Sequence, residues 1–149
     1  MIDSHCHLNR PEFAADRPAV LAAAAAAGVR GFLNVGYDPV TSRESVALAA
    51  SHAGILATVG VHPHDAALLA DAAGRPTGAA PAIMAELEEL AARPRVVAIG
   101  EIGLDFFRDL SPRPAQRTAL AMQLELADRV GLPVVFHIRD AWEETLRLV

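Results

Sequence analysis

The residues able to do chemistry stand at the ends of apolar runs. His5 and His7 are separated by a single residue close behind the first apolar positions of the chain. In an extended strand side chains alternate faces, so the two imidazoles point the same way and offer two ligands to one divalent cation. Cys6, between them, falls on the opposite face and reads as a small core residue. Glu101 follows the apolar run Val96-Val97-Ala98-Ile99-Gly100, where burying an ionised carboxylate without a cation is costly. Its two oxygens can bridge two cations roughly 3.5–4 Å apart, the arrangement that clamps an in-line phosphoryl displacement. His137 ends a third run, Pro133-Val134-Val135-Phe136, and reads as a ligand of a second cation. Arg139 shares its face and offers paired donors either to a phosphate or to Glu101 or Asp105. His62 closes the run before Pro63 and reads as a substrate or acid/base contact, with His64 left at the periphery. Asp105 reads as a contact to substrate or to neighbouring site residues, or as a loop cap.

These residues need elements that bring their ends together. Short apolar runs alternate with helical stretches along the whole chain, the pattern of repeated βα units around a parallel sheet. Strands are predicted near Met1–Ser4, Gly31–Gly36, Ile55–Val61, Val96–Gly100 and Pro133–Ile138. Helices are predicted at about Pro18–Ala27, Ser42–Ala53, Ile83–Ala92 and Ala115–Val130, with Gly28, Gly54 and Gly131 placed as left-handed caps. In the fourth, Leu120, Leu124 and Ala127 share one side while Arg117, Glu125 and Asp128 fall on the other. A fifth helix is expected after Asp140, an N-cap with Glu143 at the third helical position. The Ala-, Gly- and Pro-rich stretch Asp71–Pro81 reads as a surface loop. Five strands beginning about every 24 to 41 residues match the unit of a (β/α)₈ barrel, which takes about 250 residues. The chain therefore reads as a partial TIM (β/α)₈ barrel of α/β class with about five of eight units. An open doubly wound sheet would need a Gly-rich phosphate turn after the first strand, where Asp3-Ser4-His5-Cys6-His7 stands instead.

Composition narrows the chemistry further. The 149 residues carry net charge −5, and 52% are apolar, as expected of a soluble globular domain. No run approaches the roughly 20 apolar residues of a membrane helix. With one cysteine and no signal-like start, a cytoplasmic location is expected. All 13 basic residues are arginine, which excludes a Schiff-base lysine, a phosphate-loop lysine and a carboxylated lysine bridging two metals. An acidic chain is also a poor non-specific binder of nucleic acid. A polyanionic substrate would have to be held locally, by arginine or metal.

Taken in order, Asp3-Ser4-His5-Cys6-His7-Leu8, Gly60-Val61-His62-Pro63-His64, Gly100-Glu101-Ile102-Gly103-Leu104-Asp105 and His137-Ile138-Arg139-Asp140 resemble the TatD family of metal-dependent hydrolases. The resemblance covers the whole chain. Gln116 and Gln123, with Leu124-Glu125-Leu126-Ala127, also resemble the family's fourth helix, although Leu120 stands where phenylalanine is usual. It implies a TIM barrel of the amidohydrolase type and a two-metal centre holding Mg, Mn or Zn. DNA is the implied substrate, cleaved at its phosphodiester bonds, with no membrane association and no stable protein partner. Carried over by residue, it implies that His5 and His7 bind the first metal, Glu101 bridges both as the central catalytic carboxylate, and His137 binds the second. His62, Asp105 and Arg139 would surround the substrate.

The family adds a metal-binding histidine near a sixth strand and an aspartate near an eighth, and the present chain ends within its fifth helix. Residues 1–149 are therefore expected to form the N-terminal part of one TatD-like barrel domain. On its own such a piece is expected to be inactive and prone to aggregate, with unpaired edges at strands one and five. Two alternatives stand beside the nuclease: a hydrolase of another ester or amide, such as an aminoacyl-tRNA deacylase, and a non-catalytic half-barrel that serves as an interaction module.

Overall fold

Runs rich in β-branched residues form the strands, and the helices between them return the chain to start the next strand beside the last. In the computed structural model, which describes all of residues 1–149, the strands are β1 Ile2–Cys6, β2 Gly31–Val35, β3 Ile55–Val59, β4 Val96–Asp105 and β5 Val134–Arg139. The helices are α1 Arg17–Ala26, α2 Pro39–Ser51, α3 Ala80–Ala91, α4 Arg113–Val130 and α5 Trp142–Leu148, with short 3₁₀ turns at Pro11–Phe13 and Pro63–Leu68. All four strand pairings are parallel, in the order β1-β2-β3-β4-β5. Consecutive parallel strands joined by helices make one curved half-barrel with every strand end on the same rim.

The core lies between sheet and helices. Ile55, Val59, Ile99, Ile102 and Leu104 from the strands pack with Leu87 of α3 and with Leu120 and Leu126 of α4, all 1% exposed or less. The two edge strands are different. Ile2 in β1 is 71% exposed, Phe136 in β5 is 39% exposed, and α1 buries no residue fully. The open edges expected at strands one and five are present.

Several local expectations are corrected. The fourth strand does not stop at Gly100 but runs on to Asp105, with a register shift against β5 between Ile99 and Ile102. Glu101 and Asp105 are thus both strand residues, the latter paired with Arg139. The first strand extends past Ser4 and includes His5. Asp140 is not a cap: it sits at φ 53°, Ala141 takes the N-cap position, and no side chain closes the first turn of α5. Helix α2 starts earlier than expected because Asp38 caps it, accepting the Thr41 N–H at 2.7 Å in a reciprocal capping box. It ends at extended His52, without a left-handed Gly54. Gly131 does cap α4 at φ 67°.

Candidate metal centre

Each rim residue is set by the backbone next to it. His7 lies just beyond β1, and its Nδ1 is 2.9 Å from the Val35 carbonyl. A carbonyl only accepts, so Nδ1 carries the proton and Nε2 keeps its lone pair, the tautomer a metal-binding imidazole needs. The next residue, Leu8, donates its N–H at 2.6 Å to Oδ1 of Asn34. Asn34 is fully buried in β2 and donates in turn to Asn9 and Ser45. This network fixes the turn that carries His7.

Glu101 stands at the centre. Its Oε2 is 3.4 Å from Nε2 of His5, while Oε1 is 2.9 Å from Nδ1 of His137 and 3.8 Å from Nε2 of His62. One oxygen therefore faces the β1 histidines and the other faces the β3 and β5 histidines. Ligand atoms of His5, His7 and Glu101 lie within 4.8 Å of one another, and so do those of His62, His64 and His137. A pair of histidines on one side and three histidines on the other flank the Glu101 carboxylate, and this donor chemistry fits divalent cations of the zinc or manganese kind. Beside them opens a depression of about 240 Å³ lined by His7, Arg10, Tyr37, His62, His64, Asp65 and Glu101.

The electrostatics follow from these contacts. Burial pushes the Glu101 carboxyl up, but the His137 hydrogen bond and the His62 and His5 rings outweigh it and hold it below the usual carboxylate range. Burial likewise opposes ionisation of Asp105. The Arg108 N–H and hydrogen bonds from His64 and His137 overcome this and leave Asp105 far below its ordinary value. His137 is pushed up, first by its bond to Glu101, and its Nε2 also reaches Asp105 Oδ2 at 3.1 Å. Burial, reinforced by the neighbouring His137, pushes His62 down to about 4, so this ring is neutral at pH 7. Its Nδ1 accepts the His64 N–H at 3.1 Å, which leaves the proton on Nε2 as a donor facing Glu101.

The structure brings His5, His7, Glu101, His137, His62 and Asp105 together. Asp105 is completely buried: Oδ1 accepts from the Phe107 and Arg108 N–H groups, and Oδ2 meets His64 at 2.7 Å and His137. Arg139 stands apart, exposed, with its guanidinium 3.9 Å from the centre of the Phe107 ring and no bond to either carboxylate. His64, placed at the periphery by sequence, belongs to the second group.

The family of TatD-related DNases matches residues 2–149. This chain belongs to the TatD-related DNase family. The "3'-5' ssDNA/RNA exonuclease TatD" of Enterobacter lignolyticus is 41% identical over 149 residues, all of this chain and 54% of its own length. The crystal structure of YjjV, a TatD homologue from Escherichia coli K12, matches with TM-score 0.84 and 31% identity, covering 99% of this chain and 54% of that one. An amidohydrolase of Saccharomyces cerevisiae matches the fold with TM-score 0.86 at 24% identity, over 99% of this chain and 50% of its own. The chain spans about half the length of the TatD relatives it matches. No helix is long and apolar enough to cross a membrane.

Two glutamines of α4 gain a physical role. Gln116 and Gln123 are fully buried, seven residues apart on one helix face. Gln123 accepts the Val61 N–H at 2.7 Å and donates to the Val61 carbonyl at 3.0 Å. Gln116 treats Asp105 in the same way, at 2.8 and 3.2 Å. Each side-chain amide thus binds the peptide groups of one residue as a neighbouring strand would, immediately before His62 and at Asp105. Polar residues on the core face of an amphipathic helix were the available signal.

Cys6 takes the core role expected of it. It is half-buried, with Sγ 3.3 Å from the Leu33 carbonyl, and burial pushes its thiol up to about 12. At pH 8 the reactive thiolate is then scarcer than in an unfolded chain by about a hundredfold or more. Alkylation by iodoacetamide, followed by mass spectrometry, is expected to be slower in buffer than in urea by about that factor. Equal rates in the two solvents would contradict the packing described for β1.

Proposed function

We propose that residues 1–149 supply the first five βα units of a single-barrel, metal-dependent nuclease that cleaves phosphodiester bonds of DNA with a two-cation centre. The observation that carries this reading is Glu101, whose two oxygens each face a separate histidine group. His5 and His7 would hold one cation, His137 the second, and Glu101 both. Zinc, manganese or magnesium are the candidates, and the imidazole donors favour the first two. Bound there, the cations would supply an activated water and neutralise charge on the phosphate.

The other residues serve that chemistry through contacts of their own. His62 presents an Nε2 proton as a neutral donor to a phosphate oxygen. Asp105, read from the sequence as a substrate contact, is buried, and acts by holding the His64 and His137 rings. Arg139 reaches solvent without a carboxylate partner and offers paired donors to the phosphate backbone. The nuclease names of the relatives favour this substrate over another ester or amide, and a soluble cytoplasmic enzyme agrees with the absence of a membrane-length helix.

A chimera tests the reading. Residues 1–149 replace the matching half of the Enterobacter lignolyticus exonuclease, and hydrolysis of labelled single-stranded DNA is followed with Mn²⁺. The chimera is expected to degrade the strand, to stop in EDTA, and to lose activity by about a thousandfold or more as Glu101→Gln. A cooperatively folded chimera that binds Mn²⁺ without cleaving would sink the assignment of these residues.

A further inference from the structure

We propose that Phe107, flanked by Arg108 and Arg139, is a stacking platform for an unpaired base of the nucleic acid, and so favours single strands at this rim. The inference rests on the nuclease reading above and adds residues that confer strand preference. It begins with the arginines. Arg10, Arg43, Arg75, Arg113, Arg117, Arg129 and Arg147 are ion-paired. Arg17 and Arg95 donate to backbone carbonyls. Arg30 and Arg93 precede β2 and β4, at the far end of the sheet from the histidines. Only Arg108 and Arg139 remain, both exposed, both on the rim that carries the metal-binding residues.

Between them stands an exposed aromatic ring. Phe107 is 60% exposed, so it contributes little to the core. The turn that carries it is nevertheless fixed. Its N–H donates to Asp105 Oδ1 at 3.1 Å, the Arg108 N–H donates to the same oxygen at 2.8 Å, and the Phe106 N–H donates to the Arg139 carbonyl at 2.9 Å. The Arg139 guanidinium lies over the ring, 3.9 Å from its centre. A ring that carries a guanidinium on one face and is still 60% exposed, with the unpaired Arg108 next in the chain, is the combination that binds single strands with little sequence preference, through stacking and backbone charge. Phe107 stands in the turn that follows Asp105 at the end of β4, at most about 7 Å along the chain from it, so a phosphate beside His137 has its neighbouring base within reach of the ring. A base paired in a duplex has no free face to offer. Trp142 is as exposed, at 63%, but the depression it lines also carries Asp140, Glu143 and Glu144, which repel a phosphate backbone.

The test is fluorescence anisotropy of the chimera described above in EDTA, where nothing is hydrolysed, with labelled oligo(dT) and an abasic strand of equal length. Phe107→Ala is expected to weaken oligo(dT) binding about tenfold, and Phe107→Trp to restore it. Abasic-strand binding should be unchanged by Phe107→Ala, whereas Arg139→Ala should weaken both probes and lower the salt dependence by about one counterion. Equal binding of oligo(dT) by the chimera and its Phe107→Ala variant, or equal losses on both probes, would overturn the stacking role while leaving the nuclease reading intact. If the unaltered chimera folds cooperatively and binds neither probe, the nucleic-acid reading itself falls, and the stacking role with it.

Discussion

Glu101→Gln is expected to weaken Mn²⁺ binding by about a hundredfold or more at both histidine groups together. The reason is geometric. Oε2 faces His5 across 3.4 Å and Oε1 faces His137 across 2.9 Å, so one substitution removes an anionic ligand from each group. Loss of a partner that merely orients a ligand costs about 10- to 100-fold in metal affinity, and a direct shared ligand should cost at least the upper end. Glutamine keeps the size of the side chain and one oxygen, which separates charge from packing. Isothermal titration with Mn²⁺ reads the result, with His5→Ala as comparison: that variant should weaken one group and spare the other. If Glu101→Gln weakens a single class of sites, the carboxylate is not shared.

The second large effect is expected at Gly103, one strand step from the site. A Cβ built there would lie 2.0 Å from the His137 carbonyl oxygen and 2.9 Å from its carbonyl carbon, and the backbone is at φ 150°. Both obstructing atoms are backbone, so no side chain can swing aside, and β5 would have to leave β4. Gly103→Ala should therefore cost about 3 kcal/mol or more, at the severe end for a single substitution. It should also displace His137 from Glu101 and Asp105. Gly78→Ala is the control, because nothing lies within 4 Å of its Cβ, and its effect should stay within about 0.5 kcal/mol. Urea denaturation measures both variants, and a Gly103→Ala midpoint matching that of Gly78→Ala would contradict the β4–β5 register.

The architecture was legible where periodicity and position agreed. Apolar runs ending in His5, Glu101 and His137 gave three rim positions, because a strand end fixes both where a side chain stands and which way it points. The full reach of β4 was hidden: Glu101 and Asp105 are charged residues in a glycine-rich stretch, and pairing with β5, together with the Gln116 amide at Asp105, keeps that stretch extended. His64, read as outer shell or surface, was placed only coarsely, for another reason. Pro63 starts a 3₁₀ turn that folds the chain back, so His64 meets Asp105 instead of projecting outward. Asp140 misled in the opposite sense. Its type and the glutamate three residues on suit a capping box, yet it sits at φ 53°, so the cap position falls to Ala141. Gln116 and Gln123 stood out as polar residues on a core face, but the strand ends they bind lie at Asp105 and Val61, and the helix pattern alone does not name those partners.

The most direct test of the central claim is electron paramagnetic resonance of the chimera during titration with Mn²⁺. A carboxylate shared between the two histidine groups predicts two ions per chain at saturation, with the broadened signal of a spin-coupled pair held about 4 Å apart. A single ion, or two ions with uncoupled six-line spectra, would show that Glu101 does not join the two groups into one centre.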